Sequence, residues 1–265
     1  MYFETFDKTR LFLNKETTPE DKCVCVIVHG LAEHQGRYDY LADLFHQGGI
    51  GTYRFDHRGH GRSEGERTHY DDFNQLLDDV NVVVDMAIEE NPHKPVFLLG
   101  HSMGGYAVAL YGAKYPGKRL KGLITSGAVA RDNGHLLSGV PQGMDPHTQL
   151  PNQLGDGVCS VKEVVDWYGK DPYNCKTFTI GLCYALSKGM NWFTDHAADF
   201  SYPVLMLHGE KDGIVSVTDT YDFFRMVSSA DKQMKIYGGL FHEIFNEYCR
   251  DEVIGDAVRW IQQRI

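Results

Sequence analysis

The sequence predicts an α/β fold: a mainly parallel central sheet with helices on both faces and one long insertion. Three observations carry this. Short apolar runs alternate with amphipathic stretches along most of the chain, the rhythm of strands and crossover helices. Runs such as 23–28 and 95–99 are almost wholly apolar, as in strands covered on both faces. The rhythm then breaks once, over residues 127–198, a stretch too long for an ordinary connection.

The elements follow in order. Residues 2–6 and 10–14 read as a hairpin turning at Asp7-Lys8. Residues 23–28 are a strand rich in Val, and Cys23 and Cys25 on it would share one face. Tyr38, Leu41, Ala42 and Phe45 have helical spacing, and 52–55 is a short strand. Phe73, Leu76, Leu77, Val80, Val83, Val84 and Ala87 make one apolar helical stripe. A buried strand at 95–99 leads to a helix at 106–115, stopped by Pro116-Gly117. A strand at 120–125 precedes the break. Within the break, Ser160 and Glu163 read as a capping box opening a helix to about Tyr168. Residues 178–193 read as a second helix. The alternation resumes with strands at 203–207 and 234–237 and helices at 217–227 and 251–265. The expected organisation is a core of 1–126 and 199–265 with a cap of 127–198. An insertion at the carboxyl edge of a parallel sheet would overlie the ligand crevice.

Composition narrows the function. The chain has 265 residues, a net charge of −10 and 42% hydrophobic residues. An acidic chain with scattered bases is a poor nucleic-acid binder. No apolar run approaches the roughly 18 residues of a membrane span, and no secretory signal opens the chain. A cytoplasmic protein, at most peripheral to membranes, is therefore expected. The six cysteines lack metal-site spacing and are expected as free thiols.

The chemistry concentrates in Gly100-His101-Ser102-Met103-Gly104-Gly105. G-x-S-x-G between a buried strand and a helix is a nucleophile elbow, which projects the serine into the crevice. Glycines two residues either side avoid clashes with strand and helix. Serine needs a base, and the base an orienting acid. Asp212 and His242 each follow a strand end, in the order this architecture requires. Glu210 is the rival acid. His101 lies within the elbow and is read as positional. In such folds the turn after 24–28 supplies one oxyanion donor and the residue after the nucleophile the other, so the amides of Leu31 and Met103 are assigned to that hole. The loop Asp56-His57-Arg58-Gly59-His60-Gly61-Arg62-Ser63 lacks either phosphate-loop pattern; Asp56 and Arg58 are read as pinning it. No metal and no cofactor is called for.

These motifs resemble the monoglyceride lipase/lysophospholipase-like branch of the α/β-hydrolase fold. The matching stretches are His29-Gly30-Leu31-Ala32-Glu33-His34-Gln35-Gly36-Arg37-Tyr38, the 56–65 loop, the elbow, His208-Gly209 through Asp212, and His242-Glu243. The resemblance implies a cofactor-free serine esterase acting on single-chain acyl glycerols. It also implies that Glu33 and Arg37 border the glycerol end of the pocket. Two positions depart from the branch: Ser126-Gly127-Ala128 replaces Ser-Pro-Ala, and Phe245 stands where some members carry a second histidine.

The expected partner is a monoacylglycerol-like acyl ester, with transient membrane or micelle contact through the cap. The apolar cap residues Leu136, Leu137, Val140, Met144, Leu150, Leu154, Phe178, Ile180, Leu182, Leu186, Met190, Trp192 and Phe193 would line an acyl tunnel or pack the cap onto the core. The alternatives are a carboxylesterase for short or feruloyl-type esters, a lysophospholipase, a peptidase and a catalytically silent binding protein. Ser102 in place of Asp disfavours dehalogenases and epoxide hydrolases.

Overall fold

The computed structural model describes all 265 residues, the side chain of Asp156 excepted. In chain order the elements are β1 (Tyr2–Glu4), β2 (Arg10–Glu16), β3 (Cys23–Val28), α1 (Asp39–Gln47), β4 (Ile50–Phe55), α2 (Phe73–Glu90), β5 (Val96–His101), α3 (Met103–Lys114) and β6 (Gly122–Ser126). Then come β7 (Gln149–Pro151), α4 (Lys162–Lys170), β8 (Thr177–Thr179), α5 (Ile180–His196), β9 (Val204–Gly209), α6 (Val217–Met226), β10 (Lys232–Tyr237) and α7 (Arg250–Gln262).

Eight strands form one sheet in the order β1-β2-β4-β3-β5-β6-β9-β10. β1 and β2 are antiparallel, as is β2 with β4, and the remaining pairs are parallel. The hairpin turns at Lys8, whose φ is +67°. The sheet is mainly parallel with helices on both faces, as expected.

The period of two along β3 divides the core. Val24, Val26 and Val28 face the α2 and α3 side, with Leu76, Val80, Ala107 and Leu110. Cys23, Cys25 and Ile27 face the α1 and α7 side, with Phe45, Ile254 and Trp260. Cys23 and Cys25 therefore share a face, and all six cysteines are free thiols.

Residues 127–198 carry α4, α5 and a two-stranded antiparallel pair, β7 with β8. The pair was not legible because each strand is three residues long. α5 joins the main core through Leu182, Leu186, Met190 and Phe193. Thr179 caps it, accepting from the Leu182 amide at 3.1 Å. The capping box expected at Ser160 does not form: the N-cap of α4 is Val161, without a side-chain bond. Ser160 instead bonds Glu247, which accepts from its amide at 2.9 Å and from its hydroxyl. A buried carboxylate is a stronger acceptor than a solvated Glu163.

Registers align the carboxyl ends of five strands. Val28 pairs with Gly100, His101 with Ser126, Ser126 with Leu207, and Gly209 with Tyr237. The loops leaving these ends gather at one edge.

Candidate functional site

Ser102 sits between β5 and α3 with φ +53° and ψ −117°, a backbone region L residues rarely adopt. The surrounding glycines make this turn possible. A Cβ on Gly100 would lie 2.2 Å from the Gly104 carbonyl oxygen, and one on Gly104 would lie 2.1 Å from that of Val28. Both contacts are with backbone, so neither relaxes cheaply. A Cβ on Gly105 would meet Ala128 at 2.9 Å.

Leu31 and Met103 line a cavity together with Ser102. Neither amide hydrogen-bonds to the chain among the described residues. The neighbouring Gly30 amide is already taken, donating to Glu33 Oε1 at 2.5 Å. That leaves the two assigned amides available at the serine.

Asp212 follows β9, and His242 follows β10. His242 Nδ1 lies 2.6 Å from Asp212 Oδ2. The other carboxylate oxygen accepts from the amides of Ile214 at 2.9 Å and Val215 at 2.8 Å. His208 Nε2 is 3.0 Å from Asp212 Oδ2. Burial pushes the Asp212 carboxyl up, but His242 and His208 outweigh it and hold it well below the usual range. Burial presses the His242 pKa down, yet Asp212 first, then Glu243 and Glu33, raise it above 6.5. Glu210 is exposed and accepts instead from the Gly239 amide at 3.0 Å. It does not meet His242.

Gly127 explains the departure after β6. Its φ is +54°, and its amide donates to Leu207 at 3.0 Å. Proline could do neither. A Cβ here would lie 3.0 Å from His242 Nδ1, so the bare backbone leaves room for the imidazole.

His101 Nδ1 lies 3.0 Å from Ser126 Oγ, and its ring is 4.6 Å from that of His242. Burial, then the charge on His242, holds its pKa down to about 3. It stays neutral beside the titrating His242. Asp56 accepts from the amides of Gln35 and Arg62, both at 2.8 Å. Arg58 grips Asp79 at 2.7 and 2.8 Å. Both pin the 56–65 loop, as read from the sequence.

Glu33 and Arg37 form a buried network with two partners. Arg37 bonds Glu33 at 2.7 Å and Glu243 twice, at 2.6 and 2.7 Å. Tyr38 donates to Glu33 at 2.7 Å. Together with His101 these residues border a small cavity of about 10 Å³. The sequence signalled Glu243 only as the residue after His242, and His208 only as part of His208-Gly209. Their contacts depend on tertiary folding.

The cavity at Ser102 measures about 210 Å³ and is lined largely by apolar side chains. Tyr106 comes from α3, Val129, Leu137, Leu150 and Leu154 from residues 127–154, and Leu186 from α5. Of the apolar residues in 127–198, some line this cavity, while Ile180 and Phe193 pack into the core. Among the described residues, Glu66, His69 and His147 form the one ligand-bearing trio within reach of a common ion. The two imidazoles stack at 4.5 Å and 16°. None of the three lines the Ser102 cavity.

The serine aminopeptidase S33 family profile matches residues 19–248. Monoacylglycerol lipase from Mycolicibacterium smegmatis is 36% identical over 253 residues, covering 90% of this chain and 87% of the relative. Monoglyceride lipase from Homo sapiens is 33% identical over 261 residues, covering 93% and 84%. The crystal structure of Paleococcus ferrophilus monoacylglycerol lipase superposes with a TM-score of 0.84 at 28% identity, over 96% of this chain and 99% of that one. The match spans the sheet, the serine elbow and the loops around it, and the chain belongs to the serine aminopeptidase S33 family of α/β-hydrolases, as a serine hydrolase of the monoglyceride lipase-like branch.

Proposed function

We propose that the protein is a monoacylglycerol lipase, releasing a fatty acid and glycerol through an acyl-enzyme on Ser102. The observation that carries this is the apolar cavity of about 210 Å³ opening on Ser102 beside two free amides. An acyl chain fits such a lining, and its ester carbonyl would lie between nucleophile and amides. Relatives called monoacylglycerol lipase, similar over most of both chains, support the glycerol ester.

In this reading His242 takes the Ser102 proton as Ser102 attacks the ester carbonyl. Asp212 holds the imidazole in one tautomer and stabilises the imidazolium. The Leu31 and Met103 amides bind the oxyanion. His242 then protonates the departing glycerol and activates water to release the acid. Residues 127–198 act as the cap that closes the acyl site. Glu33 and Arg37 border the glycerol side and, with Glu243, brace the turn that carries Leu31. The cap also makes transient contact with micelles or membranes, for which the exposed Leu136 and Met144 are suited.

Initial rates on a monoacylglycerol series, with lysophosphatidylcholine, triacylglycerol and methyl ferulate alongside, test the reading. Monoacylglycerols are expected to be the fastest substrates, and Ser102→Ala to abolish turnover in a folded protein. Faster ferulate or lysophospholipid turnover would refute the lipase assignment. Substantial activity in Ser102→Ala would refute the mechanism.

A further inference from the structure

One lining side chain of the Ser102 cavity also bridges two helices. Position 106 lies one turn below the nucleophile on α3, its amide donating to the Ser102 carbonyl at 2.8 Å. The Tyr106 ring is buried and lines the cavity. Its hydroxyl crosses to α5 and donates to the Leu186 carbonyl at 3.2 Å. The ring therefore spans the gap between α3 and α5. Behind it stands Gly189, where a Cβ would fall 1.8 Å from the Tyr106 hydroxyl and 2.9 Å from both Leu110 and Phe73. Glycine at 189 leaves the space that the phenol fills, and the packed core begins immediately beyond.

We propose that Tyr106 is the chain-length stop of the acyl site and makes the protein selective for medium-chain acyl esters of roughly eight carbons, since a 150 Å³ cavity takes the six carbons of benzene and this one measures about 210 Å³. A longer chain must displace the ring from both α5 and Gly189. Removing the ring would join the cavity to the space above Gly189, adding room for roughly six carbons. The inference rests on the esterase reading of the cavity but not on glycerol as the alcohol.

The test uses p-nitrophenyl esters from acetate to palmitate, which report acyl length independently of the natural alcohol. Wild type is expected to peak near octanoate. Tyr106→Ala and Tyr106→Leu should move the optimum to laurate or myristate. Each added buried methylene is worth up to about fourfold in rate, so the myristate-to-octanoate ratio should rise at least about tenfold. Tyr106→Phe keeps the ring and should keep the octanoate peak. The ratio is internal to each variant, so loss of folded protein does not mimic the shift. If Tyr106→Ala is too unstable to assay, the Leu variant decides. A wild-type peak at palmitate, or unchanged profiles in both shortened variants, would overturn the proposal. Monoacylglycerols run in parallel separate the two readings. An octanoate peak with no monoacylglycerol turnover removes only the lipase assignment, whereas monoacylglycerol turnover independent of chain length removes the stop.

Discussion

At Asp212 one carboxylate does three things, accepting from His242, from His208 and from two backbone amides. Asp212→Asn keeps the shape but favours the wrong His242 tautomer, so kcat should fall by about 10⁴ with little change in KM. Steady-state kinetics on a purified, folded variant check this. The pH profile follows from the same residues. His242 must be neutral to accept the Ser102 proton, and its pKa is raised above 6.5 by Asp212, Glu243 and Glu33. Activity should therefore fall on acidification through a midpoint above 6.5. Glu243→Gln removes a charge that favours the imidazolium, so it should move that midpoint to lower pH. A midpoint that stays put, measured as kcat/KM against pH, would mean that Glu243 does not act on His242.

At the scale of elements, buried carboxylates tie the loops to the core. Asp219, on α6, is fully buried and accepts from four consecutive amides, Ala130 to Asn133, at 2.9 to 3.1 Å. It thereby anchors the chain as residues 127–198 begin. Hydrogen bonds to a charged acceptor contribute about 1.5–3 kcal/mol each when the donor has no alternative. Some of these amides can turn to water, so Asp219→Ala should cost about 3 kcal/mol in total, read as the shift in urea midpoint. Glu247 does the same at the other side, joining Ser160 to the Phe241 amide at 3.0 Å, next to His242. The strands and long helices were legible because each repeats an apolar pattern over many residues. These anchors were not, since each joins groups more than 80 residues apart. The Ser160 capping box failed for that reason: a local pattern lost to a distant acceptor.

For the whole molecule, the cavity at Ser102 exists only because residues 127–198 fold back over the sheet edge. Leu136, 38% exposed, lines it, and Met144, on the same stretch of chain, is 36% exposed. Isolated exposed apolar residues are ordinary, but on the proposed lipase reading two on the stretch that lines the acyl site suit contact with an aggregate. Leu136→Ser with Met144→Ser should slow hydrolysis of micellar substrate several-fold and leave the rate on dissolved short-chain ester within about twofold. Equal loss on both substrates would assign the pair to cap folding. Among the described residues no helix is long and apolar enough to cross a membrane.

The sequence by itself determined the sheet, the covering helices and the places where chemistry leaves the strands. Those features are local: apolar runs, helical stripes, and glycines flanking Ser102 whose Cβ atoms would strike backbone. It also favoured Asp212 over Glu210, which lies closer to the strand and can turn outward or pair with Lys211. Tertiary structure alone decided the rest. Gly127 clears space for an imidazole 115 residues later. Glu243 closes on Arg37 across 206 residues. Tyr106, legible only as the start of a helix, meets α5 and lines a cavity. Cavities and buried ion networks are properties of surfaces brought together, and no period in a single chain encodes which surfaces will meet.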